Sequence, residues 1–450
     1  MEQQRIVPNR KKPATKYYRE FLVGSNVHGL YQIGKTPHIL EKTLWTFLLI
    51  ASAYYAFSLS YMTIYRYYTN PTVISVDRDR YLWTTYLPAI TFCLSNNMNE
   101  TALDEILHTV RPANSSKLKL FLTSLFYSNL STLHSILEDD QIDPSNYLST
   151  IVKLYDNTPP TITVSGQVLN TNDWLAQTFT EMGLCYCFNS PLAVYFSPKY
   201  QPWLVNQQTI LPLSSTFELH PLDGEVSANI ANVSTGFNVY IHGPFEVPDV
   251  RRRPLVVPND HLLQVYYTAL SIISSEDTKT LRIRQRKCRF YHESNLTHFP
   301  VYSYLICRME CRIRLALNLC GCVPHFYRKL RRFASKGKID VFLNFKSLLP
   351  LEQLISLEHI NASCFCLANC EQVSYVVEEM DSRQWFLKSN IQYGIKNFPE
   401  MRFKRDIIFR FSDLLVYFGG VMGLFFGCSA LSVMELIYYF TLRLYWFIKS

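Results

Sequence analysis

Apolar positions are concentrated at the two ends of the chain. From Thr43 to Tyr65 runs "TLWTFLLIASAYYAFSLSYMTIY", twenty-three residues without a charge, and from Leu414 to Met434 runs "LLVYFGGVMGLFFGCSALSVM", twenty-one more. Each is long enough to cross the roughly 30 Å hydrocarbon core of a bilayer as a helix. The first starts too late, runs too long and lacks the small-residue cleavage site of a secretory signal peptide. A third uncharged stretch, Phe121 to Leu137, carries Asn129, His134 and several hydroxyls. It reads as an amphipathic helix on a soluble core.

Between the spans the pattern alternates. Stretches rich in β-branched and aromatic residues, "PAITFC" (88–93), "FNVYIHGPF" (237–245) and "LLQVYYTALSII" (262–273), predict strands. Helical periodicity covers 117–137 and 303–319, where Cys307 and Cys311 fall four apart on one face. Without a repeat or low-complexity linker, this region reads as one α+β body. A central sheet continuous with the membrane spans is expected, with helices hung outside it. The implied division is a cytoplasmic segment 1–42, a first span 43–65, an ectodomain 66–411, a second span 412–440 and a short cytoplasmic tail 441–450.

Charge and cysteine usage orient this layout. Arg5, Arg10, Lys11, Lys12, Lys16, Arg19, Lys35 and Lys42 precede the first span against three acids, which favours a cytoplasmic N-terminus. Arg402, Lys404, Arg405 and Arg410 crowd the approach to the second span and pull the other way. The Asn-X-Ser/Thr sequons decide: Asn99, Asn114, Asn129, Asn232, Asn295 and Asn361 all lie between the spans. Eleven of the twelve cysteines lie there too, as expected of an oxidising compartment. Both termini are therefore expected in the cytoplasm and the large loop outside the plasma membrane. The net charge of +8 is spread over the chain and does not read as a nucleic-acid surface.

No catalytic constellation emerges. In "HESNLTH" (292–298) four residues separate the Glu from the second His, where the helical zinc motif needs two. "GCSAL" does not complete a Gly-x-Ser-x-Gly elbow. The acidic run "LEDDQID" (137–143) reads as a solvated loop. Cys-Gly-Cys and Cys-Phe-Cys spacings invite zinc, but without paired Cys-x2-Cys knuckles outside the cell a disulfide ladder is the favoured reading. Neither a metal nor a cofactor is expected.

The second apolar segment contains the most informative stretch, "GGVMGLFFGCS" (419–429), which holds four of the chain's fifteen glycines. Gly419, Gly423 and Gly427 are each four apart and stripe one helix face, which serves either close helix packing or a pore. Asp413 and Glu435 flank the segment, and acids at membrane depth usually face water or a partner. Gly427, Cys428 and Ser429 add small and polar groups at about mid-membrane depth, where irregular backbone is tolerated only if buried or lining a cavity. Carbonyls freed there suit a small dehydrated cation.

The segment "GGVMGLFFGCSALSVMELIYYF" resembles the second transmembrane helix of the degenerin/epithelial sodium channel family, whose Gly-x-Ser triplet forms the selectivity filter. Other landmarks follow the family's order. "SNVHGL" resembles the cytoplasmic His-Gly gating motif, as His28 and Gly29, and "LPAITFC" resembles the segment after the first span. "GLCYCFN", "IHGPFEVP", "RKCRF", "CGCVPHFY" and "CFCLANC" complete the set, which is most like the insect pickpocket branch.

The resemblance implies a homo- or heterotrimer of related subunits with palm, finger, thumb and knuckle regions. It implies voltage-independent, sodium-preferring conduction blocked by amiloride, with Na+ as permeant ion rather than cofactor. Gly427, Cys428 and Ser429 would ring the axis and Asp413 would gather cations at the mouth. Gly419, Gly420 and Gly423 would line or close the pore, and Glu435 would either line it or bond a neighbouring helix. His28 and Gly29 would couple the cytoplasmic segment to the gate. An extracellular ligand or mechanical tether supplies the stimulus in such a channel, and membrane lipid surrounds the spans.

The same resemblance nests Cys288–Cys370, Cys307–Cys366 and Cys311–Cys364 and pairs Cys93 with Cys185. Cys187, Cys320 and Cys322 are left over, so at least one is free or intermolecular. Two departures stand out: Cys428 occupies the filter's middle position, and Val416 and Tyr417 put bulk where degenerins are held open. The competing reading is a receptor or adhesion ectodomain with two anchors, which would not need the glycine stripe and its flanking acids.

Overall fold

The computed structural model describes residues 14–108, 115–133, 136, 141–143, 146–156, 158–200, 216–320, 323–327 and 364–449, without the side chains of 14 and 318–320. Two compact units emerge: residues 1–73, 280–286 and 406–450 form one, and 74–279 with 287–405 form the other.

The first unit is helical. Its longest helix, Ile39–Thr69, exceeds the uncharged stretch 43–65 at both ends and leaves most of its side chains exposed, with only Ala56 and Thr63 buried. Such an apolar exterior suits lipid, because the bilayer core satisfies no polar group. Ile39–Thr69 and Ala430–Lys449 are long and apolar enough to span a membrane, and Phe411–Phe426 is a shorter apolar helix. Two short helices, Ala14–Gly24 and Leu30–Lys35, precede the first span.

The second unit is built on two sheets. In the larger, strands run in the order Thr72–Asp77, Arg402–Ile407, His261–Ser274, Ser389–Ile395, Val226–Val233, Thr161–Val164 and Gln167–Val168. Its axis is His261–Ser274. Gln372–Gln384 pairs antiparallel along nearly all of this strand's length, while Ser389–Ile395 and Arg402–Ile407 pair parallel with its two ends. Leu263, Val265, Tyr267 and Ala269 point into the core, so alternate residues of the axial strand are buried there, as the period of two requires. Ser389–Ile395, a central strand, is buried on both faces. The smaller sheet runs Leu255–Val257, Phe237–His242, Ala89–Leu94, Gly183–Phe188 and Leu175–Thr180. Strands stand at all three expected stretches, but the one expected over 237–245 ends at His242, where the chain turns at Pro244.

The helix expected over 117–137 ends at Phe126. There Ser128 Oγ bonds the Leu125 carbonyl at 2.6 Å, and Asn129 Oδ1 accepts from the Ser131 and Thr132 N–H groups. These local bonds compete with helix continuation. The shortened helix still buries Leu118, Phe121, Leu122 and Leu125. The helix expected over 303–319 is Tyr304–Cys320.

Four disulfides staple this unit: Cys93–Cys185, Cys288–Cys370, Cys307–Cys366 and Cys311–Cys364. They close loops of 53 to 92 residues, for which the chain-entropy model gives about 4 kcal/mol each, though the last three are nested and not additive. The inner pair ties one face of Tyr304–Cys320 to residues 364–366. Cys187 is a buried, unpaired thiol. Cys322, and the side chain of Cys320, fall outside the described residues.

Candidate functional site

The C-terminal apolar segment is two helices with a three-residue break. Phe411–Phe426 stops where Gly427 turns to φ 62°, ψ 20°, the left-handed region open to glycine. The Gly427 N–H reaches the Gly423 carbonyl at 2.9 Å, an αL helix stop, and the Cys428 N–H reaches Met422 at 3.3 Å. Ser429 then begins the next helix, Ala430–Tyr438, its Oγ accepting from the Ser432 N–H at 3.3 Å. A π-helical turn, Tyr439–Arg443, leads into Leu444–Lys449.

This break is met from the other end of the chain. The His28 N–H donates to the Phe426 carbonyl at 2.9 Å, and His28 Nδ1 lies 3.1 Å from the same oxygen. A Cβ added at Gly427 would overlap the His28 imidazole, so glycine is required there by close approach as well as by conformation. Gly29 has φ 91° and opens the helix Leu30–Lys35, turning the chain directly after the contact.

More of the N-terminal segment follows the same path. Asn26 Nδ2 donates to Glu435 Oε2 at 2.7 Å. Tyr17 OH donates to the Tyr439 carbonyl at 2.5 Å, and Phe21 lies against the rings of Tyr439 and Phe440 at 5.5 and 5.2 Å. Arg443 sits 4.6 Å over the Tyr439 ring and 3.7 Å from Glu20. Glu435 thus bonds an asparagine of the N-terminal segment of its own chain, neither lining a pore nor bonding a neighbouring helix. Asn26 lies inside the quoted "SNVHGL", two residues from His28, yet nothing local marks it as a partner for a residue 409 positions away.

The remaining positions divide plainly. Asp413 is exposed in the first turn of Phe411–Phe426, where its Oδ2 accepts the Arg410 N–H at 3.0 Å and faces the positive end of the helix. Val416 is 75% exposed. At Gly419 and Gly420 an added Cβ meets nothing within 4 Å, and at Gly423 only the Cys428 carbonyl at 3.8 Å. Of the sequons, Asn232 and Asn295 are exposed, while Asn99 and Asn129 use their side-chain oxygens to cap local turns. Asn114 and Asn361 fall outside the described residues.

Comparison with known proteins places these features in a family. The family model described as "Amiloride-sensitive sodium channel" matches residues 21–439. Sodium channel protein Nach of Drosophila melanogaster is 21% identical over 95% of this chain and 87% of its own length. The human bile acid-sensitive ion channel is 22% identical over 96% of this chain and 87% of its own. Pickpocket protein 11 of Drosophila melanogaster is 27% identical over 47% of this chain and 43% of its own.

Proposed function

Because this chain belongs to the amiloride-sensitive sodium channel family, we propose that it is a subunit of a trimeric, voltage-independent, sodium-selective cation channel of the plasma membrane, blocked by amiloride and gated from its ectodomain. The observation that carries this reading is the helix break at Gly427–Ser429. A simple anchor gains nothing from interrupting a helix at that depth, where each freed backbone group costs several kcal/mol unless a partner or water meets it.

In the proposed pore, three copies of Gly427, Cys428 and Ser429 surround the axis. Carbonyl and hydroxyl oxygens there replace part of the hydration shell of a small cation. Asp413 raises cation concentration at the outer mouth. Gly419 and Gly423 let neighbouring helices close on the axis. The His28–Phe426 bond ties the cytoplasmic segment to the last carbonyl before the break, so movement of either one loads the other. Both termini lie in the cytoplasm and the disulfide-stapled unit lies outside, where ligand or force acts on it.

Whole-cell recording of the expressed chain under sodium replacement tests this directly, with amiloride added and a related subunit co-expressed as control. The expected result is an amiloride-blocked inward current carried by sodium and altered in selectivity by bulky replacements at Ser429. A chain that reaches the surface yet passes no current in either condition is a receptor or adhesion protein instead.

A further inference from the structure

The motif "IHGPFEVPDV" (241–250) leaves the strand Phe237–His242 and folds over a cavity of about 320 Å³. That volume falls in the range of small-molecule sites. Its walls come from three places: this loop, the first turn of the helix Tyr304–Cys320, and the segment Ala368–Gln372. Ile241, Val247 and Leu305 make the lining partly apolar, and Tyr304 adds an aromatic ring.

Glu246 is largely buried at this cavity. One carboxylate oxygen accepts from Asn369 Nδ2 at 3.0 Å. Burial pushes its carboxyl up to about 7, and the nearby Arg252 only partly offsets that rise. The other charged groups around it are few. Asp249 and Arg252 line the same cavity from the loop, and Arg308 lies 5.7 Å over the Tyr304 ring. Tyr375 feels the Glu246 charge from the adjoining strand. His242 shares the wall, but burial lowers it to about 4, so it stays neutral at physiological pH. Arg251 lies against Asp249 and donates its backbone N–H to the Asp249 carboxylate at 3.0 Å. The charges acting on Glu246 are therefore Arg252, which favours its ionised form, and Asp249, which opposes it, so the deeper carboxylate has no complete counter-charge.

We infer that this cavity binds a small organic monocation, an amine or guanidine on a short apolar body, with its charge on Glu246 and its body against Ile241, Tyr304 and Leu305. The site goes beyond the channel reading, because it requires only the folded ectodomain and not conduction. It also has a mechanical consequence. The helix Tyr304–Cys320 is tied by Cys307–Cys366 and Cys311–Cys364 to the segment that enters Gln372–Gln384, the long partner of the sheet's axial strand. An occupant bridges the loop, the helix and that segment.

Phenethylamine is the probe, titrated calorimetrically into the purified full-length chain in detergent. Its ammonium stays protonated between pH 6 and 8, so only the protein's protonation changes. Binding to ionised Glu246 is expected to weaken about tenfold from pH 8 to pH 6, as the carboxylate takes up its proton near 7. Neutral 2-phenylethanol is expected to bind more weakly at pH 8. Glu246→Gln should lose affinity and its pH dependence together. Arg252→Ala removes the competing cation and also lets the Glu246 carboxyl rise further, so at pH 8 it should tighten binding and toward pH 6 it should steepen the loss; it tests the proposal even where Glu246→Gln does not fold. Absence of phenethylamine binding, a pH-flat affinity, equal binding of the alcohol, or unchanged affinity in Arg252→Ala each overturns it. None of these readings depends on current, so a silent channel leaves the binding result intact.

Discussion

His28 and Phe426, 398 residues apart, are joined twice: the backbone N–H and the imidazole Nδ1 of His28 both lie against the Phe426 carbonyl, at 2.9 and 3.1 Å. The chain therefore brings its N-terminal motif to the last residue before the break in the second apolar segment. The imidazole sits where a side chain at position 427 would go.

That overlap predicts a specific coupling. Gly427→Ala meets two penalties, roughly 1–2 kcal/mol for holding alanine in the left-handed region and a collision with the imidazole. His28→Ala removes only the second. Gly427→Ala alone is expected to abolish most current while the protein still reaches the surface, and adding His28→Ala should restore part of it. Currents from the two single variants and the double variant form a cycle. Strictly additive effects would show that the ring does not occupy this position during conduction.

A second long-range pair holds the disulfide-stapled unit. Arg312 grips Glu181 in a bidentate bridge, both bonds 2.7 Å, with the side chains 7% and 4% exposed, and Tyr327 OH donates to the same carboxylate. Burial alone would lower the Arg312 affinity for its proton, but Glu181 and Tyr327 more than reverse that. Removing either partner strands a buried charge, at a cost of about 3–5 kcal/mol. Arg312→Met and Glu181→Gln should each reduce surface delivery sharply and lower the unfolding temperature of purified protein. Replacing both together should cost less than the two separate losses added. Single variants as stable as the parent would contradict the pairing.

What the sequence could and could not reveal follows the range of each interaction. The apolar spans, the strand at 262–273 and the helix at 303–319 rest on periodicity within a dozen residues, and the structure has elements there. The Gly427 stop rests on one residue's conformational freedom and is equally local. The overlong helix at 117–137 shows the limit, because the turn at Ser128 and Asn129 ends a pattern whose apolar spacing runs on. Leu130, Leu133 and Ile136 stay buried after the helix has ended. The Asn26–Glu435 and Glu181–Arg312 contacts join residues 409 and 131 apart. No window of sequence contains both partners, and an asparagine before a histidine looks the same whether it caps a loop or reaches another helix.

Two thiols make contrasting predictions. Cys187 is buried beside Thr91, whose hydroxyl lies 3.3 Å from its sulfur, and burial pushes the thiol up to about 11. It should resist methanethiosulfonate reagents in the folded protein, since the thiolate is the reactive form. Cys428 is also buried within the single chain, but it lies in the helix break, one residue from Gly427, where the proposed pore would give reagents access. Reagents reaching the pore should change conductance in the parent and have no effect on Cys428→Ala, while Cys187→Ala should behave like the parent. A response that survives Cys428→Ala would place the reactive thiol elsewhere.

Buried titratable groups in the disulfide-stapled unit also set how it tolerates acid. His242 is held neutral, its affinity for a proton lowered by burial to about 4, so its contribution to stability is lost as pH falls from 6.5 toward 4. His325, lowered by burial to about 3, acts in the same direction over a wider span. Glu246 acts the other way. Raised to about 7, it binds its proton more readily folded than unfolded, so it adds stability as pH falls from 7 toward 4.5. His242 and Glu246 share one cavity wall and largely offset each other through this window. Glu246→Gln removes the compensating proton uptake and should therefore lose up to about 3 kcal/mol more than the parent between pH 7 and pH 4.5. Thermal unfolding of the two purified proteins at both pH values measures this as a steeper acid-induced drop for the variant. Parallel pH profiles would mean that Glu246 takes up its proton over the same pH range folded and unfolded, and that the balance with His242 does not exist.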